Sequence, residues 1–372
     1  MTIRIGTYNA ENLFRRPKVF DIPDAAERQR VLDDFNELVG LLDKAVYSDD
    51  DRTRIGQIIK EHRAYDQDPA HPRPPFVVQQ TRGGTASLFQ QSGPEGAPEI
   101  TVTAKGRAKW TGWAEMVRSE LDWDVVRNTG RVVAEVNADI LLTVEVEDRL
   151  TLDRFNRQVL GGALGKQPYP YSMLIDGNDP RGIDVGILSR HPITSIRSHI
   201  FDLRPGGEPV FSRDCVELEL AVNGTPLWIL GNHFKSKRGG GSAGAALRLA
   251  QGERVAQIYA DALQRSPRVL IAGDLNDSPD SPAVRKLLAT GAQDVMSHAS
   301  YTGDPGTFGT GHSLDQKIDY LLCSPELFGK VQHVDVERRG VWAPKSFKSF
   351  DTVTSKADEA SDHAALYMDV DL

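Results

Sequence analysis

Short apolar runs that stop abruptly in polar clusters are what most constrain the fold of this chain. Residues 3–8 end in Asn9-Ala10-Glu11-Asn12, 139–144 in Glu145-Val146-Glu147-Asp148, 227–230 in Gly231-Asn232-His233, and 269–272 in Gly273-Asp274-Leu275-Asn276. Residues 183–188 follow Pro180-Arg181-Gly182 and stop at Ser189-Arg190-His191-Pro192, and 318–322 begin beside Asp319. Runs this short, rich in β-branched and aliphatic residues, read as buried strands. Between them the pattern predicts helices over 131–137, 245–264 and 281–289, the last with Pro282 in its first turn. Strands alternating with helices and hairpin-like turns imply an α/β sandwich.

Residues from about 15 to 128 break this rhythm. They hold an acidic helical run over 25–44, the proline-rich His71-Pro72-Arg73-Pro74-Pro75, and a polar, glycine-rich stretch over 81–98. The segment reads as an insertion within a single domain spanning 1–372. Residues 79–98 have turn and loop composition, and part of them is expected to move. Lys109-Trp110-Thr111-Gly112-Trp113 is expected to re-anchor the chain, its tryptophans capping a core edge rather than stacking on bases.

With 372 residues, 40% of them hydrophobic, the chain can bury a core for one large domain or two modest ones. No apolar run reaches the roughly 18 residues of a membrane span. Strand-like alternation from Met1 is expected to leave no room for a signal peptide. Cys215 and Cys323 are too few for a disulfide framework and suit a reducing compartment. These features give a cytoplasmic expectation, replaced by secretion if a leader was removed before numbering. The net charge of -8 and pI near 5.6 lack the footprint of a tight, non-specific nucleic-acid binder. Acidic ligands that hold divalent cations lower the pI in the same way, so charge does not separate these classes. No protein partner is evident.

Taken singly, each polar cluster has an ordinary reading: an Asx-stabilised turn at Asp274 and Asn276, a cap at Ser361-Asp362-His363. Taken together they match one chemistry. Phosphodiester hydrolysis needs a hard cation held by carboxylates, a base for the attacking water, and an acid or cation for the leaving oxygen. Asp and Glu supply oxygen ligands, and His transfers protons near neutral pH. Zinc-site spacing and a Walker phosphate loop are missing from the sequence.

In order along the chain, Thr7-Tyr8-Asn9-Ala10-Glu11-Asn12, Glu145 after 138–144, Asn232-His233-Phe234-Lys235-Ser236-Lys237, Gly273-Asp274-Leu275-Asn276, Lys317-Ile318-Asp319-Tyr320 and Ser361-Asp362-His363 resemble the endonuclease/exonuclease/phosphatase superfamily, with its deoxyribonuclease I-like fold. The Asn-His-Phe-Lys-Ser-Lys run looks most like bacterial nucleases of that superfamily. The resemblance implies a four-layer α/β/β/α sandwich of two mainly antiparallel sheets, and a magnesium-dependent phosphodiesterase, with manganese as the alternative ion. Its substrate would be a nucleic acid or nucleotide phosphodiester. Glu145 would be the main metal ligand, with Asn9 and Glu11 beside it and Asp362 completing the shell. Asp274 and Asn276 would hold the attacking water, His233 would sit near the phosphoryl or leaving-group oxygens, and His363, oriented by Asp319, would be the base or phosphate-stabilising imidazole.

The sequence also departs from the family. Val144 stands where many members carry Gln before the metal-binding Glu, which removes a supporting hydrogen bond but not the ligand. Arg181-Gly182-Ile183-Asp184 lies where some relatives place a phosphate-contacting Tyr, so Arg181 is expected as a phosphate clamp, and Asp184 either as a further polar site residue or, equally, as half of an ordinary strand-edge salt bridge. Lys235, Lys237 and Arg238, leading into Gly239-Gly240-Gly241, are expected to contact phosphate. Trp342, Phe347 and Phe350, interleaved with Lys345 and Lys348, offer base stacking or lipid contact, with a packed loop as the commoner reading. His62, His71, His191, His199, His298, His312 and His333 show no acidic partner pattern and read as surface or packing residues.

A second reading within the same fold is a phosphatase or phospholipase acting on an inositol phosphate or sphingomyelin-type head group. The Pro-Ala-Trp-x-Asp-Arg type segment of inositol phosphatases is absent. A non-catalytic binding module ranks last, because Glu145, His233, Asp274 and His363 are all retained. The insertion leaves the sheet after Asn9 and Glu11 and returns before the strand bearing Glu145. It is therefore expected to shape or cover the substrate groove, an idea that unchanged duplex-to-small-diester rate ratios after deletion of residues 20–125 would sink.

Overall fold

A computed structural model describes residues 1–13, 17–81, 86–94, 98–119, 122–179, 181–237 and 240–372. Pro180, Arg238, Gly239 and parts of the 81–98 stretch lie outside the described residues. The chain forms two compact units, Met1–Phe14 with Leu121–Leu372, and Arg15–Glu120.

The first unit opens with strand β1 (Thr2–Leu13). The second unit then follows, with helices α1 (Ala25–Leu42) and α2 (Asp49–Glu61) and strands β2 (Phe76–Gln80), β3 (Phe89–Ser92), β4 (Glu99–Val102) and β5 (Gly112–Met116). Asp24 caps α1, and a reciprocal Ser48–Asp51 capping box opens α2, satisfying backbone donors that have no intrahelical partner. Strands β2 and β5 pair antiparallel, as do β3 and β4. Leu38, Ile55, Ile58, Ile59, Phe76, Leu88 and Trp110 give this unit its own core. Trp110 is buried and donates its indole N–H to Tyr47 Oη at 2.8 Å, whereas Trp113 is exposed. Of the two tryptophans expected at a core edge, only Trp110 packs there.

The first unit resumes with α3 (Trp123–Val136), β6 (Ile140–Val146), α4 (Arg149–Arg154), β7 (Tyr171–Ile175), β8 (Asp184–Ser189) and β9 (Ile193–Arg197). Strands β10 (Cys215–Val222) and β11 (Thr225–His233), helix α5 (Gly241–Leu263), β12 (Val269–Asp274) and α6 (Pro282–Leu288) follow. It ends with β13 (Gln293–Asp294), β14 (Asp319–Cys323), α7 (Pro325–Phe328), β15 (Val331–Glu337) and β16 (Ala365–Asp371). Helix α3 starts earlier than its apolar pattern predicts, because the Asp122 carboxylate accepts from the backbone N–H of Asp124 and Val125. Residues 123–128, expected in the insertion, thus belong to a helix of the first unit.

Two six-stranded sheets result, ordered β15-β16-β1-β6-β8-β7 and β13-β14-β12-β11-β10-β9. Each has one parallel pair, β1 with β6 and β11 with β12, and is otherwise antiparallel. Strand side chains alternate between faces. Ile5, Leu142, Val185, Leu218, Ile229, Leu270 and Leu321 therefore fill one core between the sheets. Tyr8 and Leu141 pack outward with Val132 and Val136 of α3, while Leu230 and Ile271 pack with Val255 and Tyr259 of α5. The layers run α/β/β/α, as expected. Both cysteines are buried and free. Among the described residues no helix is long and apolar enough to cross a membrane.

Candidate active site

Two faults in the strand alternation build the site. In β1, Ile3 and Ile5 face the core between the sheets, yet both Ala10 and Leu13 face the helices; in β6, Val144 faces inward and both Leu141 and Val146 outward. An odd step on one face means an inserted residue, and the β1–β6 register shifts between Asn9 and Leu13 accordingly. Glu11 (φ 46°) and Glu145 (φ 61°) occupy these bulges in the left-handed region, and Asn276 (φ 52°) sits there after β12. Each such residue costs on the order of 1 kcal/mol or more; three of the proposed site residues carry this strain, and Arg63, Asn137 and Asn223 carry it elsewhere. Gly273 has a different reason to be glycine: a Cβ there would lie 2.0 Å from the carbonyl oxygen of Asn232, where β11 and β12 converge to deliver His233 and Asp274 in register.

Asn9 and Asp274 continue the inward series of their strands and meet between the sheets. The Asn9 amide nitrogen lies 3.3 Å from Glu145 Oε1, 3.2 Å from Asp274 Oδ2 and 3.4 Å from His363 Nε2. Its oxygen accepts the Glu11 backbone N–H at 3.0 Å. Asn9 thus presents its NH2 to the carboxylates, between two acids and an imidazole, while its oxygen is held by the Glu11 N–H. Glu11 Oε2 accepts the Asp362 backbone N–H at 3.0 Å, and Ser361 Oγ donates to the Asn9 carbonyl at 2.8 Å, fixing the 361–363 turn onto β1.

His363 Nδ1 donates to Asp319 Oδ2 at 2.8 Å, and Thr307 Oγ1 donates to the same oxygen at 2.7 Å. The Phe308 ring meets the imidazole edge-on, with centroids 5.1 Å apart. Asp274 Oδ1 accepts the Asn276 backbone N–H at 2.8 Å, and the Asn276 side-chain amide bridges Asp274 Oδ2 and the Phe234 carbonyl, both at 3.1 Å. His233 is buried, its Nε2 3.8 Å from Glu145 Oε1 and 3.7 Å from Asp274 Oδ2. Among the described residues its Nδ1 has no hydrogen-bond partner.

Burial raises the pKa of Glu145, with His363 and the Asn9 amide opposing it. Burial, then the neighbouring Asp319, raises Asp274. Burial and then Asp362 raise Glu11. Desolvation pushes His233 well below an ordinary imidazole, helped by Arg213 and His363, so it is neutral at pH 7. Desolvation also opposes charge on His363, but Asp319, Asp274 and Asp362 outweigh it and hold this imidazole well above the usual value. The cluster is a set of carboxylates crowded against one another, the arrangement a bound divalent cation relieves. Metal-ligating atoms of Asp274, Asp319 and His363 converge within 4.8 Å of one another. The residues fit a hard cation, since carboxylate oxygens dominate the set. A second convergence, Asp34, Glu61 and His62, lies in the other unit and is already engaged by Arg54 and Arg30.

The residues expected at phosphate have the following surroundings. Arg181 grips Asp179 through Nε at 3.0 Å and Nη2 at 2.8 Å. Asp184 is buried, accepts the Gly177 N–H at 2.8 Å and is pushed up to about 7, chiefly by burial. Lys237 pairs with Asp277 at 3.2 Å, and the Lys235 backbone N–H donates to Gln251. Phe350 is buried beneath the guanidinium groups of Arg131 and Arg339, and Trp342 and Phe347 pack against core clusters, so this segment forms no stacking platform. Four histidines expected to lack acidic partners have them: His62 with Asp34, His71 with Asp66, His199 with Asp202 and Glu217, and His312 with Asp304. Asp34 and Glu217 come from distant segments, beyond the reach of a local pattern, whereas Asp66 and Asp202 lie within five residues of their histidines.

Arg213 and Asp179 escaped the sequence reading. Arg213 is buried, its Nε 3.0 Å from Asp179 Oδ2, and it donates from Nη1 to the Phe234 carbonyl at 3.2 Å. That carbonyl also holds Asn276, so Arg213 abuts the cluster from the β10 side. A charged Arg-Asp pair immediately before the apolar β10 run was the available signal.

The sequence model of the Endonuclease/Exonuclease/phosphatase family matches residues 123–363. No curated protein matches the chain. Similar solved structures include truncated Caenorhabditis elegans TDP2 (20% identity, 67% of this chain and 90% of that one, TM-score 0.45). The human Nocturnin catalytic domain with bound sulfate is 17% identical over 68% of this chain and 88% of that one, with a TM-score of 0.47. An endonuclease/exonuclease/phosphatase from Beutenbergia cavernae is 19% identical over 68% of this chain and 67% of its own, with a TM-score of 0.47.

Proposed function

This chain belongs to the endonuclease/exonuclease/phosphatase family, and from that premise we propose that it is a divalent-metal-dependent phosphodiester hydrolase, a nuclease acting on DNA or RNA. One observation carries the reading: the Asn9 amide joins Glu145, Asp274 and His363 in a single buried cluster drawn from both sheets.

Glu145, with Glu11 and Asp362, would hold Mg2+ or Mn2+, and the ion would supply charge to a phosphoryl oxygen and to the departing ester oxygen, which takes its proton from solvent. Asp274, fixed by the backbone and side-chain N–H groups of Asn276, is the acceptor for the proton of the attacking water. His363 carries a proton at neutral pH, and with Nδ1 committed to Asp319 it offers Nε2–H to a non-bridging phosphoryl oxygen. Neutral His233 donates a hydrogen bond beside the same oxygens, and Arg213 adds fixed positive charge behind them.

The deciding experiment is turnover with Mg2+ or Mn2+ on plasmid, single-stranded DNA, RNA, dinucleotides, inositol phosphates and sphingomyelin, with His363→Ala as control. Metal-dependent cleavage of a nucleic acid that His363→Ala abolishes is the expected result. Activity that survives both chelation and His363→Ala would refute the mechanism, and turnover confined to inositol phosphates or sphingomyelin would refute the substrate.

A further inference from the structure

Between β9 and β10 the chain makes a tight projection. Leu203 bridges Pro209, the Val210 N–H donates to the Asp202 carbonyl at 2.8 Å, and the Arg204 N–H donates to the Glu208 carbonyl at 2.8 Å. Its base is pinned from inside. Asp202 Oδ2 takes Arg254 Nε at 2.7 Å and His199 Nδ1 at 2.9 Å, while His199 Nε2 reaches Glu217 Oε2 at 3.2 Å. With Asp202 turned inward, its neighbours in sequence face solvent: Phe201 is 85% exposed and Leu203 60%. Solitary exposed apolar residues are common and need no explanation. Phe201 differs in its support and in its place.

The place is set by Asn178. Its side-chain amide donates to the carbonyls of Ile200 and Phe211, at 2.8 and 3.0 Å, closing the base of the projection, and its backbone N–H donates to the Arg213 carbonyl at 3.1 Å. The next residue, Asp179, holds both Arg181 and Arg213. Arg181 is the third residue after Asn178, at most about 10 Å of extended chain away. An aromatic ring on a pinned loop thus stands one short segment away from a carboxylate-fixed, half-exposed guanidinium, and the Asp179 that fixes it also holds the Arg213 that abuts the Glu145 cluster.

We propose that Phe201 stacks on an unpaired base of a single-stranded nucleic acid whose adjoining phosphate rests on Arg181, an inference that deepens the nuclease reading and rests on it. A base offers a π-face to any aromatic platform regardless of sequence, whereas the bases of a duplex are already stacked. A membrane is the poorer occupant. Bilayer docking scales with buried apolar area and basic charge, and this projection offers two apolar side chains and sets Asp202 and Glu208 against Arg204.

The test is equilibrium binding of a fluorescein-labelled oligothymidylate by the full chain, by F201A and by F201W. F201A should weaken binding about tenfold, and F201W should restore it with tryptophan emission quenched by the oligonucleotide. Equal affinity of F201A and the parent chain, or no binding by the parent chain, would overturn the stacking role. A blue shift of F201W emission on phosphatidylcholine–phosphatidylserine vesicles, without quenching by oligonucleotide, would overturn it in favour of a lipid surface. Turnover of bis(p-nitrophenyl) phosphate by the parent chain reads the hydrolase assignment separately. Its absence with every divalent ion would sink that assignment while leaving the binding result to judge Phe201.

Discussion

His363 and Asp319 are joined by a 2.8 Å hydrogen bond across 44 residues of sequence, and Thr307 secures the same Asp319 oxygen from a third segment. This pairing fixes the ring so that only Nε2 faces the carboxylate cluster. Asp319→Asn should lower kcat on a small phosphodiester by about 10²- to 10⁴-fold with little change in KM, the range expected when a positioned proton donor is lost. His363→Ala should cost about the same. The double variant should cost little more than either single one, because the two act as a unit. Full additivity of the two losses would show that Asp319 supports the fold and not the imidazole.

Metal affinity should depend first on Glu145. Thermal unfolding of the parent chain should shift upward with added Mn2+, by about 2.7 kcal/mol at a hundredfold excess over Kd. Glu145→Gln should abolish that shift. It should also leave the metal-free protein at least as stable, since it relieves a carboxylate that burial disfavours. A Mn2+ shift that persists in Glu145→Gln would move the ion to Asp274 and its neighbours.

Gly273→Ala should be among the most damaging small substitutions in the chain. A Cβ at this positive-φ position lies 2.0 Å from a backbone oxygen of the adjacent strand, an atom that cannot step aside as a flexible side chain can. The expected outcome is a fall in urea midpoint equivalent to about 3 kcal/mol or more, with activity lost at temperatures where the parent is active. Near-parental stability would show that β11 and β12 tolerate a wider gap than the structure has.

Asp184 makes stability fall with rising pH. Burial is the main reason its folded-state pKa sits near 7, and Asp176, Asp179 and Asp214 add to it. In the unfolded chain the group titrates near 4. The folded state therefore holds the proton more tightly, a contribution that is complete below pH 4 and lost as pH climbs to 7. Asp184→Asn stays neutral throughout. Its Tm relative to the parent should improve by a few degrees between pH 5 and pH 8, measured in matched ionic strength. A difference that stays flat across this range would mean that Asp184 is already ionised at pH 5.

The strands and the residues at their ends were legible because burial imposes a pattern on sequence: a run such as 269–272 has no place except a core, and Asp274 and Asn276 mark where it emerges. Alternation in β15 and β16 was equally readable but fell outside the runs that carry motifs. The bulges at Glu11 and Glu145 were not readable, since an inserted residue leaves composition unchanged and appears only when facing strands are compared. The orientation of Asn9 depends on what Glu11 donates to it. Arg213 and Asp179 find each other through a loop and a strand start 34 positions apart, and nothing in either neighbourhood announces the other. Local chemistry was visible; pairing across the sheets was not.

Strand β1 takes both of its neighbours from far along the chain, β6 beyond the second unit and β16 at Ala365–Asp371. On a ribosome it would emerge before either partner and wait for both. The second unit, with its own core, can close while β1 is still unpaired, and the sheet that presents Asn9 and Glu145 is completed only when β16 arrives. The cluster around Asn9 would then form only after β16 has been made, and a truncated product lacking β16 would carry most of the proposed site residues without being able to assemble them.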